Sequence, residues 1–295
     1  MANEPAPKMP TPAELLGSVG NEYLLAGARA SAWIYRYHGT GSLHESGWAA
    51  NLVHHGPTQV ALLEAKDKSC RCIVFRGSDE RGDWLDNFDI RKVGIGVPWY
   101  TGSFADIFML RSHAGIARQL GRVIEEAEDF VGDAEVPVFV FGHSLGAGMA
   151  HLFHAITVAK LTFRGRFGEH ESNIRTVGYN GPRVLSEESA SWANDLPVRP
   201  KRVVTALNGV IDLVPRVPKR SWGFSHYGDL VIFDEIGSHS GANAYKKWRA
   251  MREANPVGSL PAWRIISRLS RGVKAHRWRS VIELIDRASS RAMEQ

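Results

Sequence analysis

The stretch Val136-Pro137-Val138-Phe139-Val140-Phe141 is apolar without alternation, too short for a helix of ordinary length, and stopped by Gly142. A strand buried on both faces reads this way, and such strands belong to parallel sheets covered by helices. It runs directly into Gly142-His143-Ser144-Leu145-Gly146, after which Ser144 to Leu161 suits a helix. A doubly buried strand feeding a helix commits the chain to an α/β architecture, a mostly parallel central sheet flanked by helices.

The remaining sequence alternates in the same manner. Gln59–Lys66 and Cys70–Arg76 read as strands around a short turn, and Arg175–Tyr179, Arg202–Leu207 and Leu230–Phe233 as further strands. The 3–4 spacing of Ile116, Leu120, Val123, Ala127 and Phe130 predicts an amphipathic helix over residues 113–131. Helices are also expected over residues 23–37 and from His276 to about Ser290, the second with Val281, Leu284 and Ile285 on one side. With 295 residues, 44% of them hydrophobic, one large core suffices. Residues 1–12, rich in Pro, Ala and charge, read as a mobile tail ahead of a single domain over 13–295.

Gly142-His143-Ser144-Leu145-Gly146 fits G-x-S-x-G, and its place between a buried strand and a helix gives the motif meaning. Glycines two before and two after the serine remove side chains that would collide with the adjoining strand and helix. The turn is expected to lift the Ser144 hydroxyl into solvent and to set the Leu145 N–H, at a helix N-terminus, beside a developing oxyanion. Gly146, Ala147, Gly148 and Ala150 let the helix approach the sheet closely.

Four stretches in this order resemble the class 3 lipase family, the fungal-lipase-like branch of the α/β hydrolases. They are Ile73–Ser78 with Asp83-Trp84-Leu85, the Ser144 turn, Gly178–Val184, and Asp212-Leu213-Val214-Pro215-Arg216. The resemblance spans roughly residues 59–290 and implies the α/β-hydrolase fold. It implies that Ser78 supplies a second oxyanion donor beside Leu145. It also implies a short lid helix over about 79–88, with Trp84, Leu85 and Phe88 on its apolar side. An α/β hydrolase presents its triad in the order Ser, Asp or Glu, His. Asp212 matches the family's Asp-x-Val-Pro and follows the strand 202–207 after a short loop, which makes it the acid. For the base the sequence offers His276, His239 and His226. His276 is favoured because it lies beyond strand 230–233, with Trp278 and Val281 in the family's spacing. His226 resembles a structural histidine of the family, and so does His113. The family's preceding Asp is replaced here by Lys274-Ala275.

This constellation implies a serine hydrolase of carboxylic esters, a triacylglycerol lipase or esterase working through an acyl-enzyme, with no metal or organic cofactor. Two other readings stand beside it: a phospholipase A1 acting on anionic membrane lipid, and a hydrolase-like binding protein without turnover. His151 and His154, three apart on one helix, lack a third metal ligand in the sequence. Across residues 246–279, ten cations (Lys246, Lys247, Arg249, Arg252, Arg264, Arg268, Arg271, Lys274, Arg277, Arg279) face one acid, Glu253, with Trp248, Trp263 and Trp278 interleaved. Such a segment suits a solvated basic face or peripheral contact with an anionic lipid surface, and nucleic acid least. Cys70 and Cys72 are too close in sequence for a useful disulfide and read as free thiols. No secretory signal and no run of roughly 18 apolar residues is apparent, so the default expectation is a cytoplasmic protein, with a leaderless or dedicated export route as the alternative.

Overall fold

The computed structural model describes residues 8–36, 46–77, 89–101, 104–164, 173–254 and 277–293. The chain enters through α1 (Pro12–Gly17) and α2 (Gly20–Trp33), then lays down β1 (Trp48–His55), β2 (Thr58–Ala65) and β3 (Arg71–Phe75). A hairpin follows, β4 (Lys92–Thr101) and β5 (Phe104–His113), then α3 (Ala114–Leu120), α4 (Ile124–Val131), β6 (Val138–His143) and α5 (Leu145–Phe163). Next come β7 (Ile174–Tyr179), β8 (Leu185–Ser186), α6 (Glu187–Asn194), β9 (Lys201–Leu207) and β10 (Val210–Ile211). The described chain ends with β11 (Phe224–Ser225), β12 (Asp229–Phe233), β13 (Ser238–Ser240), α7 (Gly241–Ala254) and α8 (Trp278–Met293).

The main sheet has the order β1-β2-β3-β6-β7-β9-β12-β13, with β10 paired to β9. Its middle, β3-β6-β7-β9-β12, is parallel throughout, and antiparallel pairs close both margins. All six residues of β6 are buried, because helices cover both of its faces. Phe139 and Phe141 point into a core shared with α2 and α8, while Val138 and Val140 join α3, α4 and α5 on the other side. A smaller sheet, β11-β8-β5-β4, packs on that second side, with Val97 and Leu110 in the same core as Leu145 and Met149 of α5.

Three local expectations change. The periodic segment 113–131 is not one helix: α3 and α4 are separate, and Gly121 to Val123 turn the chain between them. Its apolar positions Ile116, Leu120, Val123 and Ala127 are nevertheless all buried in one core. Residues 9–11, expected within the tail, are held against the domain. Met9 is buried, the Trp48 indole donates to the Pro10 carbonyl at 2.7 Å, and Thr11 caps α1 in a reciprocal box with Glu14. Finally, β1, the β4–β5 hairpin and α7 are present where no element was expected. Cys70 and Cys72 are buried free thiols. Among the described residues no helix is long and apolar enough to cross a membrane.

Candidate active site

Ser144 stands between β6 and α5 with φ 59° and ψ −125°, a backbone conformation that side chains other than glycine seldom adopt. The surroundings impose it. Its N–H donates to the Tyr179 carbonyl at 2.9 Å, and its own carbonyl accepts from Ala147 N–H at 3.1 Å. A β-carbon on Gly142 would overlap the Gly146 carbonyl, and one on Gly146 would overlap the Phe75 carbonyl at the end of β3. The two glycines of the motif are thus contact points between strand, turn and helix. Leu145 opens α5, so its N–H belongs to the first turn, whose donors have no helical acceptor.

The hydroxyl is not lifted into bulk solvent. Ser144 is only 3% exposed, because the chain leaving β3 runs across the turn. A β-carbon on Gly77 would overlap the Tyr35 hydroxyl and stand 3.3 Å from Ser144 Cβ. Tyr35, just after α2, binds this crossing together: its hydroxyl lies 3.2 Å from His143 Nδ1 and 3.4 Å from the His143 carbonyl. Burial pushes the Tyr35 phenol up, against the Gly77 N–H bonded to it and the nearby Arg76 charge, so it remains a neutral hydroxyl. The sequence places Tyr35 only within an expected helix over 23–37. Nothing in the local pattern announces a partner more than forty residues away.

Asp212 is fully buried at the carboxyl edge of the same sheet, beyond β10. Its N–H donates to the Thr205 carbonyl at 3.0 Å, and its Oδ1 accepts from Val214 N–H at 2.8 Å. The turn after it is held from two sides. Arg183 donates to the Pro218 carbonyl at 2.8 Å and also to that of Arg216, while the His226 ring donates to the Pro215 carbonyl at 2.7 Å. His226 is therefore a brace of this loop. Burial, then the charges of Arg202 and Arg183, push its pKa well down.

A continuous hydrogen-bond path joins the two residues across β7. Ser144 N–H meets Tyr179 O, and the next residue, Asn180, is buried with φ 50°. Asn180 clamps Thr205 twice, accepting its N–H at Oδ1 and donating from Nδ2 to its hydroxyl, both at 2.9 Å. Thr205 in turn accepts the Asp212 N–H. Asn180 and Thr205 were not singled out from sequence, although Asn180 lies inside the stretch 178–184 that carries the family resemblance.

The other histidines separate by position. His239 sits on β13, four strand places from β6, 3.3 Å from Asp234 and 2.9 Å from Lys247. His154 is buried with both ring nitrogens engaged, by the Thr176 hydroxyl at 2.8 Å and the Val198 carbonyl at 3.0 Å. His151 faces the Lys201 carbonyl at 3.3 Å, and His113 caps α3 through Ile116 N–H. Among the described residues no group of three or more His, Cys, Asp or Glu is arranged to hold a metal. His276, Ser78, the segment 79–88 with Trp84, Leu85 and Phe88, and the basic residues Arg264 to Lys274 lie outside the described residues. Within the described part of the basic segment, Trp248 packs on a core of β9, β10 and β12, and Lys247 pairs with Asp234.

A mostly parallel sheet flanked by helices, with a serine on a strained strand-to-helix turn and a buried aspartate two strands away, is consistent with the α/β-hydrolase fold. A triacylglycerol lipase from Penicillium expansum adopts a similar fold at a TM-score of 0.52 and 16% identity, over 66% of this chain and 74% of that one. Lipase II from Rhizopus niveus does so at 0.50 and 21%, over 63% and 66%. Residues 72–222 match the family described as Lipase (class 3), and the chain belongs to the class 3 lipase family. A lipase of Rhizomucor miehei is 27% identical over 157 residues, 53% of this chain; the chain spans 40% of that relative's length.

Proposed function

We propose that this protein hydrolyses carboxylic esters of lipids, with Ser144 as nucleophile. The observation that carries the reading is the strained Ser144 backbone, held at a strand-to-helix turn and linked through Asn180 and Thr205 to the buried Asp212. Strain of this kind is maintained only where the surroundings over-determine it, and here it sets a hydroxyl at the start of a helix.

In the proposed reaction His276 takes the Ser144 proton as the oxygen attacks the ester carbonyl. Asp212 orients the imidazole and stabilises its charged form. The Leu145 N–H and Ser78 receive the oxyanion, each such donor contributing on the order of 3 kcal/mol in the transition state. The imidazolium protonates the departing alcohol, and water then releases the acid by the same steps in reverse. Because Ser144 is covered, a substrate reaches it only after the cover moves. The apolar residues Trp84, Leu85 and Phe88 make segment 79–88 the lid in this reading. A lid with that composition favours medium- or long-chain acylglycerols, and the activity of fungal relatives named as triacylglycerol lipases supports the same substrate class.

The test is turnover of p-nitrophenyl esters of increasing chain length by the parent protein beside Ser144→Ala, Asp212→Asn and His276→Ala. The expected outcome is measurable esterase activity that drops by roughly 10⁴-fold or more in each variant. Activity that survives Ser144→Ala, or its absence from the parent, rejects the proposal.

A further inference from the structure

The β4–β5 hairpin has two unlike faces. Val97, Phe108 and Leu110 turn inward against the core that contains Leu145 and Met149 of the nucleophile helix. On the outward face of β5, Ile107 is 67% exposed, Met109 53%, and Arg111 is exposed in line with them. Their partners across the hairpin are Pro98, Gly96 and Gly94. Because the glycines carry no side chains, Met109 lies over Gly94, and a β-carbon there would come 2.6 Å from its sulfur. The outcome is a smooth apolar stripe on a sheet whose edge strand is β4, ending in a cation.

We infer that this outer face of the β4–β5 hairpin docks the protein on an anionic phospholipid surface. The inference rests on the ester-hydrolase reading for its purpose, not for its geometry. Strand residues rise about 3.4 Å each, so Arg111 stands roughly 7 Å from Met109 and 14 Å from Ile107. With this face laid on the lipid and the two apolar side chains inserted at the acyl boundary, the long Arg111 side chain beside them can bend back to the phosphates. Lys92 is also exposed at that end of the hairpin. The exposed acid Asp106 falls on the opposite face of β5, paired with Trp99, and its carboxylate is bound to the Ile107 N–H at 2.7 Å. A stripe one side chain wide is far below the roughly 800 Å² per partner of a stable protein interface, whereas a fluid lipid surface needs no matching shape. Docking here would hold Ser144 one layer beneath the lipid, since the inner face of the same hairpin packs on α5.

The experiment is co-sedimentation of the Ser144→Ala protein, which leaves lipid intact, with vesicles of equimolar phosphatidylcholine and phosphatidylglycerol. It is compared with the same protein carrying Ile107→Ser and Met109→Ser, and separately Arg111→Gln. The two serines are expected to weaken binding about tenfold or more, as loss of two buried apolar side chains implies. Arg111→Gln should weaken binding to these vesicles but not to pure phosphatidylcholine. The same substitutions in the Ser144 protein should leave hydrolysis of a soluble short-chain ester and the melting temperature unchanged, which separates this proposal from the catalytic one. Undiminished vesicle binding by the double variant overturns the inference. So does a parent protein that sediments as a dimer which the double variant dissolves, since a second copy would then be the occupant.

Discussion

At the scale of single residues, Asn180 links the Ser144 turn to the strand that holds Asp212. A left-handed backbone there disfavours most side chains, but asparagine tolerates it, and both ends of its amide are used on Thr205. Asn180→Gly keeps the backbone and deletes the clamp. Leaving the Thr205 N–H and hydroxyl without these partners should cost about 2–3 kcal/mol in urea unfolding. In esterase assays it should lower kcat about tenfold or more with KM for a short soluble ester nearly unchanged, because Asp212 shifts while the binding surface does not. Thr205→Ser retains the N–H and the hydroxyl and should behave like the parent. A fall in kcat and a rise in KM together would mean that Asn180 serves general folding alone. Such a residue is hard to read from sequence. Its partner lies twenty-five positions on, and a single asparagine before a glycine reads only as a turn.

At the scale of elements, the approach of α5 to the sheet depends on what occupies two positions of its first turn. At Gly146 a methyl group would meet the backbone carbonyl of Phe75, which cannot yield without moving β3. At Gly148 it would meet the end of the Ile116 side chain at 2.8 Å, which can turn aside. Glycine to alanine inside a helix gains about 1 kcal/mol in propensity, whereas overpacking costs about 1–3 kcal/mol or more. Gly146→Ala should therefore lower the melting temperature by several degrees, and Gly148→Ala should change it little. Equal melting temperatures for the two variants would show that α5 is free to lift from the sheet. The small residues of this helix were legible because they sit beside a recognisable motif. The β4–β5 hairpin was not, because Gly94, Gly96 and Pro98, residue types that strands disfavour, fill every second position of β4 from 94 to 98, and its pairing partner and packing surface supply what its composition lacks.

At the scale of the whole molecule, buried histidines set the acid limit of stability. Burial lowers His113 and His154 to about 4 and His151 to about 3, with the Arg202 charge adding to the effect at His151. The folded protein therefore keeps these rings neutral while the unfolded chain takes up protons below about pH 6.5. Stability should be fully present above that pH and fall as pH drops toward 4 and then 3, each ring contributing a slope of up to about 1.4 kcal/mol per pH unit. The urea midpoint measured from pH 7.5 to 4 checks this, and a flat profile would show that the rings are accessible. The rings also show where sequence and tertiary structure divide the determination of this protein. The doubly apolar run of β6, the glycine-flanked Ser144 and the order of the four family stretches prescribed a parallel sheet with a strained strand-to-helix turn at Ser144, because strand burial and backbone strain are written in local residue choice. Folding alone decided that Ser144 is covered, that Tyr35 and Asn180 tie the turn to its surroundings, and that His226 braces the loop after Asp212 while His239 lies on β13. Those outcomes depend on contacts between residues far apart in the chain, and a local pattern carries no record of which distant side chain will fill the space beside it.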